Sequence, residues 1–192
     1  MRCYVTREID KTRRVMEKLL CSEQILTTLE TIAEVCVDSL HSNGKIMFCG
    51  NGGSAADSQH LAGELVSRLN FDRPGLAAVA LTTDSAVMTA VGNDYGYEQL
   101  FARQIEALGR EGDVLVAAST SGNSPNVLEA LKAAREKGIA TVGLTGNDGG
   151  EMTGLCDYLI IIPSRETPKI QEGHIVLGHV LCGLIETTMF AE

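Results

Sequence analysis

Val114-Leu115-Val116-Ala117-Ala118-Ser119, then Thr120-Ser121-Gly122-Asn123-Ser124-Pro125, then a helical pattern to about residue 137, is the passage that decides the fold. A run of consecutive apolar and small residues reads as a strand buried on both faces, since neither face meets water. The hydroxyl-rich turn ends on a proline, a residue favoured at the first position of a helix, which places Ser124 at the N-cap. Strand, polar turn and helix therefore follow one another without a linker.

The same unit recurs on either side. Lys45–Cys49, Leu76–Leu81, Ala140–Leu144 and Tyr158–Ile162 are further near-continuous apolar runs. Helical patterns near 54–69, 84–91, 97–108 and 149–154 lie between them, and a last helix runs from about 168 to 190. Strands that alternate with helices predict a parallel α/β sheet covered by helices on both faces. Upstream, Val15, Leu19, Leu20, Ile25, Leu26, Leu29, Ile32, Ala33 and Cys36 recur every three or four residues, which predicts helix over about 5–43. Cys21-Ser22-Glu23 interrupts it with Ser22 as a second N-cap, and His41-Ser42-Asn43-Gly44 stops it. These helices are apolar on more than one side, more than one sheet face can cover, which points to subunit packing. The chain reads as a single domain, 1–192, with an N-terminal helical arm at 1–43 and an α/β core at 44–192.

Composition narrows the function. The 192 residues carry 16 Lys+Arg against 25 Asp+Glu, a net charge of −9. A chain of this length can bury about 70 % of its unfolded surface. The acidic balance argues against non-specific binding to nucleic acid or anionic membranes, both of which need a basic face. It leaves anionic substrates open, because backbone N–H groups and hydroxyls can hold a phosphate. No apolar run approaches the roughly 18 residues of a membrane span, and the first residues lack an apolar signal core. Six scattered cysteines without a C-x-x-C pair read as reduced thiols and a cytoplasmic setting.

On such sheets ligands sit at the carboxyl ends of the strands. Three polar turns fall there: Gly50-Asn51-Gly52-Gly53-Ser54, Ser119 to Ser124, and Thr145-Gly146-Asn147-Asp148-Gly149-Gly150. Ser119, Thr120, Ser121 and Ser124 offer four hydroxyls where a helix N-terminus points outward, an arrangement suited to a phosphate monoester. One serine suffices for a cap; the other three are unexplained by structure alone. No Gly-Lys-Ser/Thr follows, so the turn is not a P-loop, and the glycine turn does not match G-x-G-x-x-G. The glycines let backbone approach a ligand, or simply make a tight strand–helix turn.

His60 and Glu64, four apart, share one helix face and suit either a divalent metal or a surface hydrogen bond. Gln171 and His179 are eight apart, about 80° around their helix, and can look toward one pocket. His174 is about 140° away from His179 and reads as a core or interface histidine. Asn93-Asp94-Tyr95-Gly96-Tyr97 reads as an Asx-type turn.

Taken together these motifs resemble the SIS (sugar isomerase) domain family and, within it, the phosphoheptose isomerases. The likeness is carried by Cys49 to Ser54, Gln59-His60 with Glu64, Val91-Gly92-Asn93-Asp94, Ser119 to Ser124, Thr145-Gly146 with Asp148-Gly149-Gly150, and Ile170-Gln171-Glu172-Gly173-His174. It implies a three-layer α/β/α fold on a five-stranded parallel sheet of order 2-1-3-4-5. It also implies a homotetramer with sites near subunit contacts. The implied activity interconverts sedoheptulose 7-phosphate and D-glycero-D-manno-heptose 7-phosphate, the first step toward bacterial surface heptose. By the same resemblance His60, Glu64, Gln171 and His179 hold one zinc ion per subunit. Asn51, Gly52, Gly53, Asn93, Asp94, Ser119, Thr120, Ser121 and Ser124, with Glu64 and Gln171, bind the sugar phosphate. Some relatives carry Asp where this chain has Pro168, which is assigned no role.

Aldose–ketose interconversion needs a base at carbon and an acid/base at oxygen, roles that suit Glu64 and His179. Two other readings exist. Some SIS relatives are scaffolds that bind the replication initiator, but they lack counterparts of Glu64 and His179 and carry Arg at the position of Ser121. An isomerase acting on another phosphosugar is the third.

Overall fold

The apolar runs form five parallel strands, β1 (Ile46–Gly50), β2 (Ala78–Ala80), β3 (Val114–Ser119), β4 (Ala140–Thr145) and β5 (Tyr158–Ile161). They make one sheet in the order β2-β1-β3-β4-β5, as expected, in a computed structural model that describes residues 1–190. Seven α-helices occur among the described residues: α1 (Arg2–Leu20), α2 (Glu23–His41), α3 (Gly53–Val66), α4 (Ser85–Asp94), α5 (Ala102–Leu108), α6 (Pro125–Glu136) and α7 (Thr167–Phe190).

Side chains alternate across a strand, so each strand feeds two cores. Ile46, Phe48, Val114, Val116, Val142 and Leu144 face the layer of α1, α2, α3 and α7. Met47, Cys49, Leu115 and Ala117 face the layer of α5 and α6. Every residue of β1 and β3 is buried, the physical origin of their unbroken apolar sequence.

Local chemistry sets the helix ends. Ser22 caps α2 by accepting the N–H of Ile25 at 3.4 Å. Asn43 stops it in the left-handed region, at φ 61. Asp84 caps α4 by accepting the N–H groups of Ala86 and Val87. Several boundaries differ from the sequence reading. α4 continues through Asn93 and Asp94, where a turn was expected, because the chain keeps its helical bonds to Val91 and beyond. The helix expected over 97–108 divides into a 3₁₀ turn at Tyr97–Gln99 and α5, and the segment near 149–154 is also 3₁₀. Residues 1–43 form two helices broken at Cys21-Ser22, as expected; Tyr4, Val5 and Ile9 of α1 are exposed, whereas Ile32 and Cys36 of α2 lie fully inside the sheet core.

α7 is long and apolar enough, by length and composition, to cross a membrane, although no unbroken apolar run marks it in the sequence. Glycines and histidines interrupt its pattern. Its Leu177, Leu181, Cys182 and Ile185 are buried in the sheet core.

His174 of α7 is buried, as expected, and donates Nε2–H to the carbonyl of Thr145 at 3.1 Å. Burial lowers its pKa to about 4, against the smaller opposing effect of that hydrogen bond. An unfolded histidine, with pKa near 6.5, then binds a proton that the folded one refuses, so stability is lost as pH falls from about 6.5 toward 4. The loss expected from this residue is about 3 kcal/mol. Urea titrations at pH 7 and pH 4.5 should show it, and His174→Gln should flatten the difference by most of that amount.

Candidate active site

Where consecutive connections leave a parallel sheet in opposite directions, a crevice opens at the carboxyl ends. Here that point lies between β1 and β3. A cleft of about 270 Å³ at this edge is lined by Asn51, Gly52, Gly53, Ser119, Thr120, Ser124, Thr167 and Gln171. A larger cavity, of about 700 Å³, lies by the β2 edge among Val79, Val87, Gln104 and Leu108, and no residue of the glycine or serine turns lines it.

Both helices that start at the cleft lack a side-chain cap. Gly52 precedes α3 at φ 57, a left-handed conformation that suits glycine. Ser124 occupies the N-cap position of α6, as expected, yet its hydroxyl lies 2.8 Å from Ser119 Oγ instead of on the backbone. The N–H groups of Ser54 and Ala55 turn back onto the carbonyls of Asn51 and Gly52, and that of Val127 onto Ser124, so the N–H groups of Gly53 and Asn126, with the positive dipole ends behind them, are the ones left for an anion. Asn51 is held in a reciprocal amide pair with Asn126, both bonds 2.8 Å, and accepts the phenol of Tyr97 at 3.1 Å. Ser121 is exposed on the rim, its Oγ accepting the N–H of Asn123.

The second cluster joins α3 to α7. Nε2 of His60 is 2.8 Å from Nε2 of His179 and 3.2 Å from Glu64 Oε1. Ligand atoms of His60, Glu64 and His179 all lie within 4.8 Å of one another. The i, i+4 spacing on α3 sets the first two side by side; the fold supplies the third from 119 residues away. Two imidazole nitrogens and a carboxylate oxygen converging on one point are a donor set that zinc accepts, so these residues fit a metal. Gln171 packs its amide against Gly53, where any Cβ would collide with it.

Beside these groups is Asp57, which the sequence reading passed over. Burial raises its carboxyl above the ordinary value, against smaller opposing pulls from Gln171, His60 and His179. Its Oδ2 is buried without a hydrogen-bond partner. Asn93 and Asp94, in contrast, stand exposed at the end of α4, where Asn93 donates to Asp94 at 2.7 Å; neither lines the cleft.

The hydroxyl-lined cleft lies at the switch point of a 2-1-3-4-5 sheet, and the SIS domain family model matches residues 9–146. The phosphoheptose isomerase of Burkholderia pseudomallei strain K96243 is 58 % identical over 189 residues, 98 % of this chain and 96 % of that one. That of Aneurinibacillus thermoaerophilus is 53 % identical over 190 residues, 99 % of this chain and 96 % of its own. The solved structure of phosphoheptose isomerase GmhA from Neisseria gonorrhoeae superposes at a TM-score of 0.89 with 43 % identity, covering 97 % of this chain and 98 % of that one. The chain belongs to the SIS domain family and, within it, to the phosphoheptose isomerases; it is an isomerase.

Gly53→Ala tests whether the seat of Gln171 matters. The added methyl must displace a flexible side-chain end and not backbone, so the fold should survive with a melting temperature within a few degrees. KM for the sugar phosphate should rise about tenfold, the loss of one good hydrogen bond to a charged group. An unchanged KM would make Gln171 a packing residue.

Proposed function

We propose that this protein interconverts sedoheptulose 7-phosphate and D-glycero-D-manno-heptose 7-phosphate through an enediol, supplying a precursor of bacterial surface heptose. The convergence of His60, Glu64 and His179 from two helices, beside the hydroxyl-lined cleft, carries this reading. The phosphate sits on the N-termini of α3 and α6, held by backbone N–H groups of the Gly52-Gly53 turn and by Ser119, Thr120, Ser121 and Ser124. Asn51, fixed by Asn126 and Tyr97, presents its amide to the sugar hydroxyls. Asn93 and Asp94 belong to the substrate set by resemblance only, since their position at the end of α4 leaves them outside the cleft.

Glu64 is the base that takes the C1 proton of the ketose and returns it to C2. His179 moves a proton between O1 and O2, and the short Nε2 contact with His60 fixes its ring. His60, Glu64 and His179, with Gln171, would hold a zinc ion, which when bound polarises the carbonyl. A carboxylate that also held the metal would be a poorer base, so a bound ion would weaken Glu64 in that role.

Water must leave such a site. Val176 and Val180 neighbour His179 on α7 and are 42–45 % exposed, which supports a second copy covering this side in a homotetramer. The acidic charge and scattered thiols support a cytoplasmic enzyme with no nucleic-acid or membrane partner.

Glu64→Gln should lower kcat by about 10²–10⁴-fold, the range of a lost general base, while inorganic phosphate still binds the cleft. Near-normal turnover, read by NMR depletion of sedoheptulose 7-phosphate, would remove Glu64 as base. Chelation should lower activity and added zinc restore it; full activity in a demonstrably metal-free protein would remove the metal.

A further inference from the structure

We propose that Arg73 and Glu186 form a buried clamp that positions Glu64 against His179, which makes both of them positioning residues for the reaction. The inference rests on the reading of Glu64 and His179 given above.

Glu64 lies in the last turn of α3. His179 lies on α7, and Glu186 seven residues further on. Seven residues are close to two turns, so His179 and Glu186 share a face of α7, about 10 Å apart along its axis. Glu186 is fully buried. It accepts the N–H groups of Leu69 at 3.0 Å and Asn70 at 2.8 Å, and Nε–H of Arg73 at 3.1 Å. The Arg73 side chain is 2 % exposed. Its other donors reach the carbonyls of Glu64 at 2.8 Å, Leu65 at 2.6 Å, Ser67 at 3.3 Å and Pro74 at 3.0 Å.

The final carbonyls of a helix lack intrahelical donors, and a cation there also meets the negative dipole end. Arg73 satisfies both needs at the end of α3. One guanidinium thus holds the backbone of Glu64 itself and, through Nε, the helix that carries His179. A planar fork of donors can do this; an ammonium, a point charge on a flexible stem, cannot. Stability alone does not call for such a pair, because apolar residues of similar volume often serve a buried site as well or better. Setting the distance between two reacting groups does call for it.

The test uses Arg73→Lys and Glu186→Gln in the full-length chain, each alone and on a Glu64→Gln background. Far-UV circular dichroism, kcat and KM for sedoheptulose 7-phosphate, and zinc affinity by competition with a chromophoric chelator are the readouts. Folded single variants should lose about ten- to a hundredfold in kcat and in zinc affinity, as when the partners that orient a ligand are removed. KM should stay within about twofold, since the phosphate cleft is untouched. On the Glu64→Gln background neither substitution should weaken zinc further. Wild-type kcat in the folded variants overturns the clamp, and so does an equal loss of zinc affinity on both backgrounds. Unfolding of both variants overturns it too, because the pair then serves the fold alone. Wild-type kcat and zinc affinity in Glu64→Gln by itself would instead overturn the role of Glu64, and the purpose of the clamp with it.

Discussion

How closely α3 approaches α7 is the constraint on which the site depends. Leu61 of α3 fills the space that Gly178 leaves by having no side chain; a Cβ there would come within 2.6 Å of Leu61 Cδ1. Cys182 continues the same seam, its Sγ 3.8 Å from the Leu61 carbonyl. Helices pack 8–10 Å apart according to the side chains between them, and small residues put this pair toward the near end. That proximity lets His60 of one helix touch His179 of the other. Overpacking a seam costs about 1–3 kcal/mol in stability. A reacting group displaced by about 1 Å can lose a hundredfold in rate, which is nearly 3 kcal/mol of barrier. Stability and geometry therefore penalise a larger residue here to a similar degree, and the fold survives the loss far better than the chemistry does.

The pair of cores explains why the sheet was legible in the sequence. Strands buried on both faces leave no polar alternation, and their carboxyl ends turn abruptly to glycine and serine. The helix ends were legible where a side chain caps them, as at Ser22. Lengths were not: the hydrogen bonds that carry α4 through Asp94 depend on no residue type, so a polar pentapeptide looked like a turn. His60 and Glu64 announced themselves by spacing, but nothing local ties them to His179, 119 residues away, and only resemblance supplied that link. Asn126 and Asp57 escaped notice because each reads as an ordinary polar residue of its element, and Tyr97 was read only as the end of a polar turn. Their significance lies in partners from other loops: Asn51 for Asn126 and Tyr97, the histidine pair for Asp57. Arg73 and Glu186 are the extreme case, since two charged residues 113 apart give no sign that they will be buried together.

The site also resolves an apparent conflict of charge. A phosphate monoester carries about −1.5 to −2 near neutral pH, and this chain is itself at −9. No lysine or arginine lines the cleft. Two uncapped helix N-termini, each equivalent to roughly half a positive charge, converge on it instead. Such dipoles act within a turn's length and create no long-range basic field, so they suit a small anion without offering a basic face to a polyanion.

In the proposed reaction the same helix keeps the anion from the base. α3 begins at Gly53 in the glycine turn and carries Glu64 in its last turn. Eleven residues of helix separate those two points by about 16 Å along the axis. Two like unit charges 4 Å apart near a protein surface repel by about 4 kcal/mol, a penalty that would hold Glu64 protonated and useless as a base beside a dianion. Placing one function at each end of a single helix removes that penalty. It leaves the sugar carbons to bridge the gap between a positive dipole end, which wants the phosphate, and a carboxylate that must stay free to take a proton.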